Sequence, residues 1–98
     1  MLDPGLGFSK TLEQNLELVR RMPELRAVKE LRGLPWLVGA SRKGFIGKVT
    51  GVQSARERGW GTAGVVAASV WGGADVVRVH DVKEMKAVVD MADAVWRV

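Results

Sequence analysis

Trp36-Leu37-Val38-Gly39-Ala40 is a short continuous apolar run between Pro35 and the polar triplet Ser41-Arg42-Lys43. A run of this length without polar alternation suits a strand covered on both faces, and strands of that kind belong to parallel sheets. A second strand is predicted at Asp75-Val76-Val77-Arg78-Val79. The flanking segments read as helices. Upstream, Thr11 and Gln14 make a capping box, and Leu12, Leu16 and Val19 follow at helical spacing. Pro23 interrupts that helix and opens a second stretch carrying Leu25, Val28 and Leu31, which Gly33 and Pro35 end. Between the strands, Gly44, Gly47, Gly51 and the charged Arg56-Glu57-Arg58 predict a long loop. Thr62 then caps a well-buried helix whose Ala63, Gly64, Ala67, Ala68 and Ser69 allow close approach, ended by Gly72-Gly73. Asp81 with Glu84 starts a last helix bearing Met85, Val88, Val89, Ala92 and Trp96. This alternation implies an α/β fold with parallel strands and right-handed crossovers. The opening Asp3-Pro4-Gly5-Leu6-Gly7-Phe8 reads as the end of a third strand, because a turn rich in functional residue types normally follows a strand.

The chain has 98 residues, 47% hydrophobic and 27% charged, which is the composition of one folded domain. It is too short for a closed eight-stranded (β/α) barrel, which needs about 200 residues or more. Fifteen Lys and Arg against eleven Asp and Glu leave a net charge of +4. These cations are scattered, with only Arg20-Arg21 and Arg42-Lys43 adjacent, so a small anionic partner is expected, not nucleic acid or a membrane surface. The lack of cysteine excludes disulfides, a thiol nucleophile and cysteine-based metal sites. Met1-Leu2 leads straight into Asp3-Pro4-Gly5 with no secretory pattern, and no apolar run approaches the ~18 residues of a membrane span, so the expected compartment is the cytoplasm.

Gly59-Trp60-Gly61-Thr62-Ala63-Gly64 matches the dinucleotide-binding fingerprint letter for letter, but it follows the polar Ser54-Ala55-Arg56-Glu57-Arg58 where a buried strand is required. A phosphate-loop reading of Gly47-Lys48 fails because Arg42 stands where the loop must begin with glycine. Three clusters at the C-terminal ends of strands have better claims, since loops there carry the ligands of α/β folds. Asp3, on a rigid Pro-Gly turn, suits the N–H groups of an amidine-like heterocycle, with Phe8 as an aromatic face; its structural reading is a turn-forming Asp. Ser41, Arg42 and Lys43 place a hydroxyl, a forked cation and a flexible ammonium at one rim, suited to phosphates or carboxylates; the structural reading is a solvated charge pair. Arg78 and His80 lie on one side of their strand, and a cation in a Val-rich strand is costly unless something anionic meets it. A lone histidine is more often structural, but beside Arg78 it becomes a reasonable anion or leaving-group contact.

Taken together, the three clusters resemble the dihydropteroate synthase family. Asp3-Pro4-Gly5-Leu6-Gly7-Phe8 with Lys10 is similar to that family's loop after its sixth barrel strand. Ser41-Arg42-Lys43 with Phe45-Ile46-Gly47 resembles its seventh-strand motif, and Arg78-Val79-His80-Asp81-Val82 its eighth. The resemblance implies a partial TIM (β/α)8 barrel over residues 1–98: the last three βα units, the first strand largely missing. It also implies a magnesium-dependent transferase of folate biosynthesis, the sulfonamide target, joining p-aminobenzoate to 6-hydroxymethyl-7,8-dihydropterin diphosphate with release of pyrophosphate. By the match, Asp3, Lys43 and Arg78 bind the pterin; Phe8, Ser41 and Lys43 the aminobenzoate; and Arg78, His80 and Arg42 the diphosphate. The family's magnesium ligand and mobile first loops belong to earlier strands, so no metal ligand is expected in this chain and the chain alone is expected to be inactive. Two other readings remain. One is a non-catalytic α/β module that self-associates through open barrel edges. The other is a further pterin-binding barrel, such as a methyltetrahydrofolate methyltransferase, against which the Ser-Arg-Lys and Arg-Val-His motifs argue.

Overall fold

The computed structural model describes residues 1–7 and 10–97. Helices α1 (Leu12–Arg20) and α2 (Met22–Arg26) lead through a 3-10 turn, Lys29–Leu31, to strand β1 (Leu37–Val38). Helix α3 (Gly44–Thr50), a second 3-10 turn (Ala55–Glu57) and helix α4 (Gly59–Trp71) follow, then strand β2 (Val76–Val77) and helix α5 (Val82–Trp96). The expected capping box forms: Thr11 accepts from the Gln14 N–H and the Gln14 side chain accepts from the Thr11 N–H. Pro23 stands in the first turn of α2, where its missing N–H costs nothing.

Both strands are shorter than their apolar runs, and they pair in parallel as the crossover pattern requires, with Leu37 opposite Val76 and Val38 opposite Val77. On the other side of β1, Leu2 forms a parallel bridge with Trp36: its N–H donates to the Pro35 carbonyl and its carbonyl accepts from the Leu37 N–H. The opening residues therefore enter the sheet as a third strand-like partner of β1, as their turn-rich continuation predicts.

Three expectations need correction. The segment predicted as a loop contains α3, because Phe45 and Ile46 are buried and tertiary packing outweighs the poor helix propensity of its glycines. Helix α4 starts at Gly59, with Thr62 inside its first turn instead of capping it. Asp81 precedes α5, but its side chain makes no capping hydrogen bond.

Leu6, Met22, Trp36, Val38, Ala40, Phe45, Ile46 and Ala74 form the buried core cluster, and Val66 and Val70 of α4 and Met85 and Ala92 of α5 are buried outside it. In α4 the close approach occurs at Gly61, where an added Cβ would run into the Ile46 side chain; around Gly64 there is open space. At the far end of α4 and α5, Arg97 donates to the Val70 and Ala74 carbonyls at 2.8 and 2.7 Å. Among the described residues no helix is long and apolar enough to cross a membrane.

Candidate functional site

The loop after Leu2 is shaped by its own polar atoms. Asp3 Oδ1 accepts the Gly5 N–H at 2.8 Å, the turn chemistry of an Asx motif. Gly5 and Gly7 both take positive φ, +72° and +88°, and Leu6 between them is buried in the core. From α1, the buried Asn15 accepts the Gly7 N–H at 2.7 Å and donates to the Thr11 carbonyl at 3.1 Å. Lys10 Nζ donates to the Gly5 carbonyl at 2.8 Å. Sequence reading missed Asn15, although the signal is there: it is the polar member of the stripe Leu12, Asn15, Leu16, Val19, on the face that α1 buries.

The second cluster meets this loop directly. Lys43 Nζ donates to the Leu6 carbonyl, and its stem lies across Gly7, where a Cβ would stand 2.9 Å from Lys43 Cδ. Burial holds the Lys43 ammonium below the ordinary lysine value; the nearby Arg78 guanidinium lowers it further, the Asp3 carboxylate opposes the shift, and Lys10 adds to it. Those four groups therefore share one electrostatic neighbourhood.

Ser41 joins the second cluster to the third. Its buried hydroxyl lies 2.7 Å from His80 Nδ1 and accepts the His80 backbone N–H at 3.1 Å. In the tautomer with Nδ1 as acceptor, the Ser41 hydroxyl donates to Nδ1 and the ring carries its own proton on Nε2. Arg78 reaches across to Gly39, where a Cβ would be 2.7 Å from its Nη2. Arg78 over Gly39 and His80 on Ser41 continue the β1–β2 register, which keeps both on one side, as the alternation predicts. Arg78 is exposed, so the expected cost of a buried cation does not arise; among the described residues its guanidinium has no hydrogen-bond or ion-pair partner.

Arg42 Nη2 pairs with Asp81 Oδ1 at 2.8 Å, so a carboxylate of the chain engages the charge that was expected to meet a diphosphate. That ion pair also explains why Asp81 does not cap α5. Arg42 has φ +60°, a left-handed conformation costing about 1 kcal/mol or more in a non-glycine residue. Its N–H donates to Thr62 Oγ1 at 3.0 Å, and its carbonyl accepts from Arg58 Nη1 at 2.9 Å. Arg58 and Thr62 thus act on the Ser41–Lys43 turn; nothing in the run Arg56-Glu57-Arg58 distinguishes Arg58 from a solvated charge. Phe8, the expected aromatic face, lies outside the described residues.

The arrangement is a mostly cationic rim with one carboxylate, backed by a locked Ser–His pair. It suits a ligand carrying an anionic group and a hydrogen-bonding heterocycle. It does not suit a divalent cation: Asp3 shapes its own turn, Asp81 is held by Arg42, and no three His, Asp or Glu converge among the described residues.

Comparison with known proteins gives concordant results. The model of the family described as pterin binding enzyme matches residues 1–80. A folic acid synthesis protein of Pneumocystis carinii is 55% identical over 97 residues, 99% of this chain and 13% of its own. A dihydropteroate synthase of Synechocystis is 50% identical over 97 residues, again 99% of this chain but 32% of its own. The crystal structure of Thermus thermophilus dihydropteroate synthase in complex with 4-aminobenzoate superposes with a TM-score of 0.87 at 40% identity, covering 97% of this chain and 35% of that one. The chain therefore spans about a third or less of the length of these relatives.

Proposed function

Because the chain belongs to the pterin binding enzyme family, we propose that it is the C-terminal portion of a dihydropteroate synthase, the last three βα units of a (β/α)8 barrel, and that it carries part of the substrate site. The observation that supports this most is the position of Lys43, which bonds the Leu6 carbonyl, lies on Gly7 and neighbours Arg78, so that all three motifs meet at one side chain.

In this reading Asp3 accepts hydrogen bonds from the pterin ring through Oδ2, since Oδ1 holds the turn. Lys43 contacts the pterin and borders the p-aminobenzoate site, which Ser41 lines, a role that the resemblance also gives Phe8. Arg78 packs on the ring and, with His80 Nε2–H, holds the diphosphate. As the carbon–oxygen bond breaks, pyrophosphate departs with the electron pair, and fixed cations stabilise the charge it gains. The aminobenzoate amine forms the new carbon–nitrogen bond and loses a proton, so positioning and leaving-group binding supply most of the rate. Arg42 stands behind the site as a structural member. Magnesium finds no fitting ligand set among the described residues. In this reading the chain supplies one part of the pocket, and by itself it is expected not to turn over.

Calorimetric titration with the pterin diphosphate tests the reading. Asp3→Ala, Lys43→Ala and Arg78→Ala should each weaken binding about tenfold or more, the loss of a charge-assisted hydrogen bond. Unchanged affinity in all three would sink the assignment, and robust pyrophosphate release by the isolated chain would contradict the claim of inactivity.

A further inference from the structure

Arg42 is the only non-glycine residue with positive φ among those described. The Lys43 N–H donates to the Ala40 carbonyl at 3.1 Å, making residues 40–43 a β-turn with Arg42 at its third position, where positive φ normally calls for glycine. Such a conformation persists only where its surroundings over-determine it. Every polar part of the Arg42 backbone is held: the N–H by the buried Thr62 hydroxyl, the carbonyl by Arg58. Arg58 is itself fixed by carbonyls alone. Its Nε donates to Val52 at 3.0 Å and its Nη2 to Gln53 at 2.8 Å, while Nη1 reaches Arg42. The guanidinium lies on α3 where Gly47 has no side chain; a Cβ there would stand 2.7 Å from both Nε and Nη2.

We propose that Arg58 is a positioning residue: by holding the Arg42 carbonyl it keeps the 40–43 turn in its left-handed form and so fixes where Ser41 and Lys43 present their side chains. A fork of three donors is needed, because the carbonyls of residues 42, 52 and 53 diverge around one group; a lysine, with its compact ammonium, does not span them. Gly47 belongs to the same device as the space the fork occupies. The effect of Arg58 on substrate rests on the pterin-site reading above, whereas its effect on Lys43 does not.

The test therefore reads Lys43 itself, by NMR titration of the full chain carrying isotope-labelled lysine. In Arg58→Ala, Arg58→Lys and Gly47→Ala the Lys43 ammonium should titrate higher, toward an ordinary lysine, as it leaves its half-buried place. Gly47→Ala added to Arg58→Ala should shift it no further, since the group that Cβ displaces is already gone. Arg97→Ala removes a comparable carbonyl-binding guanidinium at the opposite end of α4 and α5 and should leave Lys43 unmoved. Affinity for inorganic pyrophosphate should fall about tenfold or more in the Arg58 and Gly47 variants, as misplacement of a binding group predicts. Unchanged Lys43 titration in the folded Gly47→Ala or Arg58→Lys chains overturns the proposal, as does an equal shift in Arg97→Ala. Failure of the unaltered chain to bind pyrophosphate would count against the substrate reading and leave the Lys43 result to decide the role of Arg58.

Discussion

Lys43 gathers the strands of the site, and its charge is held there against a penalty. Burial and Arg78 lower its pKa in the folded chain, while the unfolded chain keeps the ordinary value of 10.5. Between the lowered value and 10.5 the unfolded state binds more protons, so stability contributed through this group rises with pH across that window. Below it Lys43 is charged in both states and the full penalty is present. Urea denaturation of the chain and of Lys43→Met, followed from neutral pH to about pH 11, should show the variant's advantage largest near neutrality and shrinking as pH climbs. A constant difference would mean that the ammonium sits in free water. The residue types of the site were legible in the sequence because each cluster follows a strand directly. The pairing of Arg42 with Asp81, and the left-handed turn that Arg58 holds, were not. These are contacts between residues far apart in the chain, and neither leaves a local pattern.

At the scale of elements, the helices whose apolar positions recur at regular spacing were legible: α1 from its capping box, α5 from Met85, Val88, Val89 and Ala92. Helix α3 was not, because its sequence, Gly44-Phe45-Ile46-Gly47-Lys48-Val49-Thr50, is poor in helix formers. What holds it is contact: Phe45 and Ile46 are buried, and Ile46 presses against α4 at Gly61. Two glycines of α4 then carry opposite consequences. Gly64→Ala adds a methyl to open space and should stabilise the chain by about 0.5–1 kcal/mol through helix propensity. Gly61→Ala gains the same propensity but drives a Cβ into Ile46, and should destabilise by about 1–3 kcal/mol. Thermal or urea unfolding of the two variants separates them, and equal stabilisation would show that α3 does not pack as closely on α4 as its geometry says.

At the scale of the molecule, the radius of gyration is 13.0 Å, about what a complete domain of this length has. Yet among the described residues the sheet that organises it holds β1, β2 and the Leu2 bridge. The parallel ladder turns the N–H groups of Val76 and Arg78 toward β1, where they bond the Trp36 and Val38 carbonyls. By the same alternation the Val77 N–H faces the outer edge of β2, and the Val76 side chain beside it is exposed. An edge of this kind is a template for a further strand, from another copy or from the part of the longer relatives that this chain does not span. Val77→Pro removes the outward donor and leaves both bonds to β1 in place, an edge position where proline is tolerated. Light scattering across a concentration series should then find the unaltered chain growing in mass and Val77→Pro staying monomeric. Equal masses for the two, with circular dichroism unchanged, would mean that the edge takes no part in assembly and that any association runs through the exposed Trp71, Met91 and Val95 on the helices.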